Sequence, residues 1–116
     1  MKGMVTCQNC IIELWKNDCE HCEATKPILD ELEKEGYEID RYNVETPQGR
    51  IVWKKYLDTI NNYNKSQGYD ENFIYTPTLV NPTSLQVISY PDRAPTKDEI
   101  INLAKSKSNA MKGGGK

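Results

Sequence analysis

The chain of 116 residues holds one Phe, one His and no cysteine beyond position 22. It has no surplus of cations either: 15 Lys and Arg stand against 17 Asp and Glu, a formal charge of −2. Nucleic-acid and anionic-membrane binders rely on a basic field, so this near-balance argues against both as partners. No apolar run approaches the ~18 residues of a membrane span. The opening Met-Lys-Gly-Met-Val-Thr-Cys lacks the continuous apolar stretch and small-residue cleavage site of a secretory signal. A cytoplasmic location is therefore expected. With 37% hydrophobic residues, the chain suffices for one small domain and is too short for two.

The four cysteines form two Cys-x-x-Cys pairs, Cys7/Cys10 and Cys19/Cys22. Disulfide scaffolds of secreted proteins spread their cysteines to staple distant segments. Clustering near one end points to local chemistry instead, either redox or metal binding.

Strand-like and helix-like patterns alternate along the rest. Ile11-Ile12-Glu13-Leu14-Trp15 is short, mostly apolar and rich in strand formers, as a buried central strand is. From Cys19 onward Ala24, Ile28, Leu29 and Leu32 recur at helical spacing up to Gly36, and Pro27 predicts a bend within that helix. Residues 37–44 read as a second strand. Thr46-Pro47 opens a second helix with Val52, Trp53, Tyr56, Leu57 and Ile60 on its apolar face. Residues 61–72 are polar and Asn-rich and read as loop. Residues 78–80 and 85–90 predict two short strands joined through Asn81-Pro82-Thr83-Ser84 as a hairpin. Thr96-Lys97-Asp98-Glu99 is a capping box ahead of a last helix bearing Ile100, Ile101, Leu103 and Ala104.

Three regions follow: a segment 1–10 with the extra cysteine pair, a domain over 11–105, and a tail 106–116 without an apolar face, expected to be disordered. The order β-α-β-α-β-β-α predicts an α/β fold. Its βαβ unit demands a parallel strand pair and its hairpin adds antiparallel strands, giving a four-stranded mixed sheet with helices on both faces.

Cys19 follows the first strand and opens the first helix. Free amide N–H groups and the positive end of the helix dipole, the latter worth roughly 1 kcal/mol, favour a thiolate there. Cys22 sits one turn further in and is expected to be more buried, close enough to close a disulfide once Cys19 has attacked. A Cys-x-x-Cys also suits zinc, and Cys7, Cys10, Cys19 and Cys22 together have the composition of a four-thiolate zinc module. A strand over residues 11–16 opposes that reading, because at ~3.3 Å per residue it sets Cys10 and Cys19 about 20–30 Å apart. For Cys7/Cys10 a separate disulfide, an intermolecular metal site and two free thiols all stay open.

Three motifs agree in order and spacing with a known family. Ile12-Glu13-Leu14-Trp15, then Cys19-x-x-Cys22, then Pro27-Ile28-Leu29-Asp30-Glu31 resembles the thioredoxin family without a gap. Residues 38–45 resemble its next strand, and Thr76-Pro77-Thr78-Leu79 its cis-proline segment. The resemblance spans residues 11–105, and the start directly at the central strand is closer to glutaredoxins. It implies a thioredoxin-like fold and a thiol-disulfide oxidoreductase, with Cys19 as the attacking and Cys22 as the resolving cysteine. It implies that Glu13 is a buried acid assisting deprotonation of Cys22, that Trp15 packs under the site, and that Thr76 and the cis-proline Pro77 face the disulfide and substrate. Arg41 falls where the family keeps a lysine, and an always-charged partner is expected to hold Glu13 ionised.

The chain departs from the family around the cysteines. Asp18 replaces a Trp, and Glu20-His21 replaces Gly-Pro. A His before the second cysteine is similar to protein disulfide isomerases and periplasmic oxidases. A protonated His21 stabilises a Cys19 thiolate, while Asp18 and Glu20 oppose it. The glutaredoxin Gly-Gly-x-Asp motif is absent, and Tyr90-Pro91-Asp92-Arg93 stands in its region.

The resulting expectation is a monomeric enzyme that exchanges protein disulfides, recharged by a thioredoxin reductase or glutathione, with no cofactor beyond the Cys19–Cys22 disulfide. The rivals are the zinc module and a redox-inert interaction domain of the same fold. The long stretch before Pro77, with Tyr63, Tyr69, Phe73 and Tyr75, is expected either to select a partner or to fold back as cover for the second helix.

Overall fold

Cys-Ile-Ile-Glu-Leu-Trp forms the central strand β1 (Cys10–Trp15) in a computed structural model that describes residues 7–107. β1 pairs in parallel with β2 (Glu38–Asn43) and antiparallel with β3 (Thr78–Val80), which in turn pairs antiparallel with β4 (Val87–Ile88). The sheet is thus four-stranded and mixed, in the order β2-β1-β3-β4. The helices are α1 (Glu20–Lys34), α2 (Pro47–Lys55), α3 (Leu57–Gln67) and α4 (Lys97–Ala104).

Strand side chains alternate between faces, and β1 uses that period to build two cores. Ile11 packs with Leu29 and Leu32 of α1, Leu79 of β3, and Ile100 and Leu103 of α4. Ile12 and Leu14 point the other way, to Val44, Ile60 and Val87, with Trp53 and Tyr56 packed alongside. Leu14, Leu29 and Leu32 are wholly buried, each contributing roughly 1.5–3 kcal/mol relative to exposure. The same alternation sends Glu13 to the α1 face, where it is buried.

Several boundaries differ from the sequence reading. Residues 61–67 are helical, as the second half of α3, and the second helix breaks at Tyr56 rather than continuing. The Asn residues there serve tertiary hydrogen bonds. Buried Asn64 donates from Nδ2 to the Asp70 and Phe73 carbonyls, both at 3.1 Å, and Asn61 pairs with Asn72. Gly68 ends α3 at φ 78, a left-handed conformation that glycine adopts without a Cβ clash. The hairpin strand expected over 85–90 shrinks to β4, because Leu85 takes φ 63 and its N–H donates to Asn81 O at 2.8 Å, so the connection consumes those residues. α1 runs unbroken through Pro27. The Thr96–Glu99 capping box forms in both directions.

Ser106, at the start of the expected tail, bonds Ser84 Oγ and the Leu103 carbonyl at 2.6 Å each. The tail expectation for 108–116 lies outside the described residues, as do residues 1–6. Among the described residues no helix is long and apolar enough to cross a membrane.

α2 meets the end of β2 at Gly49, where a Cβ would overlap the Asn43 carbonyl and come within 2.9 Å of Val44 N. These are backbone atoms with nowhere to rotate. Gly49→Ala should therefore destabilise the domain by about 2–4 kcal/mol, as overpacking of a rigid contact does. Urea unfolding checks this, and an unchanged midpoint would show that α2 can shift away freely.

Candidate functional site

Beyond Trp15 the chain turns through Asn17 and Asp18 into α1. Asn17 is held by Glu45, whose Oε1 accepts from its N–H at 3.2 Å and its Nδ2 at 2.8 Å. Asp18 takes φ 54, a turn conformation that a short polar residue tolerates. Cys19 thereby becomes the N-cap of α1, and its Sγ accepts from the Cys22 N–H at 3.1 Å. Negative charge on this sulfur is favoured by the orphan amides and the helix dipole. Cys19 and Cys22 stand as a disulfide pair with their Cα atoms 5.1 Å apart.

Across from them the Thr76–Pro77 peptide bond is cis. Thr76 Oγ1 lies 3.4 Å and its carbonyl oxygen 3.6 Å from Cys19 Sγ. That contact covers Cys19, so burial does not separate the two cysteines as the sequence reading held: Cys19 is 8% and Cys22 6% exposed. Their neighbours separate them. Cys19 faces the Thr76–Pro77 rim, whereas Cys22 opens onto a cleft of about 370 Å³ lined also by Glu13, Trp15, Lys26 and Arg41.

Glu13 is 3% exposed. Burial penalises its charged form and pushes its pKa up to about 7, against the opposing pull of Arg41 and with a smaller push from Asp30. The expectation that Arg41 holds Glu13 ionised is thus corrected. The two are register partners across β1 and β2, yet the guanidinium turns to α1, donating to Asp30 Oδ1 at 2.7 Å and Glu33 Oε1 at 2.9 Å. With its charge shared there, Arg41 offsets only part of the desolvation of Glu13. Asp18 and Glu20 are exposed and His21 half-buried at the mouth of α1. Lys26 escaped the sequence reading, although its place one helical turn after Cys22 was the available signal.

The other cysteine pair stands at the opposite end of β1. Cys7 and Cys10 flank a turn and stand as a second disulfide pair with their Cα atoms 5.7 Å apart, and their sulfurs gather with the Glu38 carboxylate, not with Cys19 or Cys22. The full length of β1 separates the two pairs, so a single zinc held by Cys7, Cys10, Cys19 and Cys22 is ruled out by the geometry.

No protein-family model matches the chain, and no curated protein is significantly similar to it.

Proposed function

We propose that the chain is a thiol-disulfide oxidoreductase of thioredoxin-like fold, acting through Cys19 and Cys22. One observation carries this reading: a Cys-x-x-Cys pair at disulfide distance caps α1, with its first sulfur against Thr76 at a cis-proline. In the reductive direction the Cys19 thiolate attacks a substrate disulfide, forming a new S–S bond and expelling one substrate thiolate. Cys22 then gives up its thiol proton and attacks Cys19 Sγ, expelling the second substrate thiolate. The substrate gains two electrons and the protein is left with the Cys19–Cys22 disulfide. An external dithiol reductant or glutathione, as the cytoplasm supplies, returns it to the dithiol.

Glu13 suits the proton step because a group titrating near neutral pH both accepts and returns protons readily. It shares the cleft with Cys22, and a water there would carry the proton between them. Trp15 forms part of the cleft wall, and half-buried Thr76, held by the fully buried cis-proline Pro77, is the edge that a substrate chain would meet. His21, Asp18 and Glu20 act on Cys19 through charge at the helix mouth.

Turnover of a generic protein disulfide by the reduced chain, with a chemical dithiol as donor, tests the reading. Reduction that is abolished by Cys19→Ser supports it. Absence of turnover by the native chain, with the dithiol shown to be fully reduced, would favour a redox-inert interaction domain.

A further inference from the structure

β1 and β2 run in parallel with Cys10 opposite Glu38, and register partners in neighbouring strands project to the same face of the sheet. This pairing brings a carboxylate to a cysteine from a distant part of the sequence. The turn before β1 completes the group. Gln8 and Asn9 form it, with Asn9 at φ 60, and Cys7 is folded back beside Cys10. The turn is knitted to the domain at two points: Asn9 O accepts the Glu38 N–H at 3.0 Å, and Cys7 O accepts Thr83 Oγ1 at 3.0 Å. Glu38 Oε1 then lies 3.1 Å from Cys7 Sγ and 3.3 Å from Cys10 Sγ.

We propose that reduced Cys7 and Cys10, together with Glu38, bind a thiophilic divalent cation of the zinc class. All three ligand atoms lie within 4.8 Å of one another. Zinc–sulfur bonds near 2.3 Å and zinc–oxygen bonds near 2.0–2.2 Å give tetrahedral ligand-to-ligand edges of roughly 3.5–3.8 Å. The two sulfur–oxygen separations are a few tenths of an ångström short of that, and the two sulfurs, in contact as a disulfide pair in the structure, part on reduction to the same edge by rotation of the Cys7 side chain. Cys10 and Glu38 are fixed by strand pairing, so only the Cys7 turn has to adjust. A Cys7–Cys10 disulfide carries neither charge nor proton and gains nothing from a carboxylate oxygen against both sulfurs. A cation gains a third anionic donor. Half-buried Cys7 and exposed Glu38 leave the fourth tetrahedral position facing solvent, where water completes the shell. Binding releases the two thiol protons to solvent, leaves the sulfurs as thiolates and changes no oxidation state.

The site is independent of the redox reading, and its test keeps the two apart. The fully reduced chain, as wild type and as Cys19→Ser/Cys22→Ser, is titrated with Co2+ and then with Zn2+. Each protein should take up one metal per chain, with thiolate-to-cobalt charge-transfer absorption that zinc abolishes. Cys7→Ser/Cys10→Ser should lose that absorption, and Glu38→Gln should weaken zinc binding by on the order of tenfold or more. A readout in native protein covers any folding defect: zinc should protect Cys7 and Cys10 from alkylation, as mapped by mass spectrometry. Metal uptake lost with Cys19 and Cys22 but intact without Cys7 and Cys10 would overturn the proposal. So would unprotected Cys7 and Cys10 in the presence of zinc, or zinc binding unchanged in Glu38→Gln.

Discussion

Cys22→Ser should accumulate a stable mixed disulfide between Cys19 and protein partners, while Cys19→Ser should trap none. The asymmetry follows from where the two sulfurs sit. Cys19 Sγ caps α1, receives the Cys22 N–H and lies beside Thr76, so the helix amides favour its thiolate and, on the proposed reading, it is the attacking sulfur. Cys22 lies within the helix and opens to the cleft of Glu13. With Ser at position 22 the backbone N–H that points at Cys19 is kept, so attack proceeds. The resolving sulfur is gone, and the mixed disulfide then breaks only through an external thiol. Turnover should fall to the background level in both variants, but only Cys22→Ser should yield reducible adducts on non-reducing gels. Equal capture by both would show that the attacking and resolving roles are wrongly assigned.

The second large effect is on stability, from Glu13→Gln in the oxidised protein. Glu13 titrates at about 7 in the folded chain against 4.5 as its ordinary value. Below the ordinary value both states hold the proton and the group contributes nothing to pH dependence. As pH rises toward 7 the unfolded chain ionises while the folded chain stays neutral, so stability falls. Above 7 the full difference is in force, about 3 kcal/mol. Gln has the same shape and no proton to lose. The stability of Glu13→Gln relative to wild type should therefore rise by about 3 kcal/mol between pH 4 and pH 9, with most of the change below pH 7. Urea unfolding of both proteins across that range measures it. Parallel pH profiles would show that Glu13 is solvated in the folded state and is no buried proton carrier. The same substitution should slow resolution by Cys22 near neutral pH, which a merely stabilising change would not do.

Arg41 illustrates where reading from residues alone falls short. Its charge and its place in the second strand suggested a partner for Glu13, and the register does put the two side by side. The choice between Glu13 and the α1 acids depends on the distance from β2 to α1. Asp30 and Glu33 win because they are half-exposed and need little desolvation to pair. Asn64 is a second case. Its helix looked like loop because the stretch is polar, yet the side chain is buried and bonds the returning segment at the Asp70 and Phe73 carbonyls. Tyr69, Phe73 and Tyr75 follow from that: Tyr69 and Tyr75 meet edge to face at 5.3 Å, as do Phe73 and Tyr75 at 4.7 Å. The segment is folded back on α3, with Phe73 still half-exposed at its edge.

Features governed by neighbours along the chain were legible from residue order. The apolar run of β1, the Thr46 cap with Pro47, the Thr96–Glu99 capping box and the placement of Cys19 at a helix start all depend on residues within a few positions of one another. Local sterics and hydrogen bonds between near neighbours favour these without reference to distant segments. Register and depth set the remaining features, and these arise from folding. Strand pairing brings Glu38 to Cys10 and Arg41 to Glu13, and burial moves Glu13 toward neutral titration. The packing of residues 68–76 delivers Thr76 to Cys19. Each depends on distances between segments far apart in the chain, and on how much water is excluded between them, which no spacing along the sequence encodes.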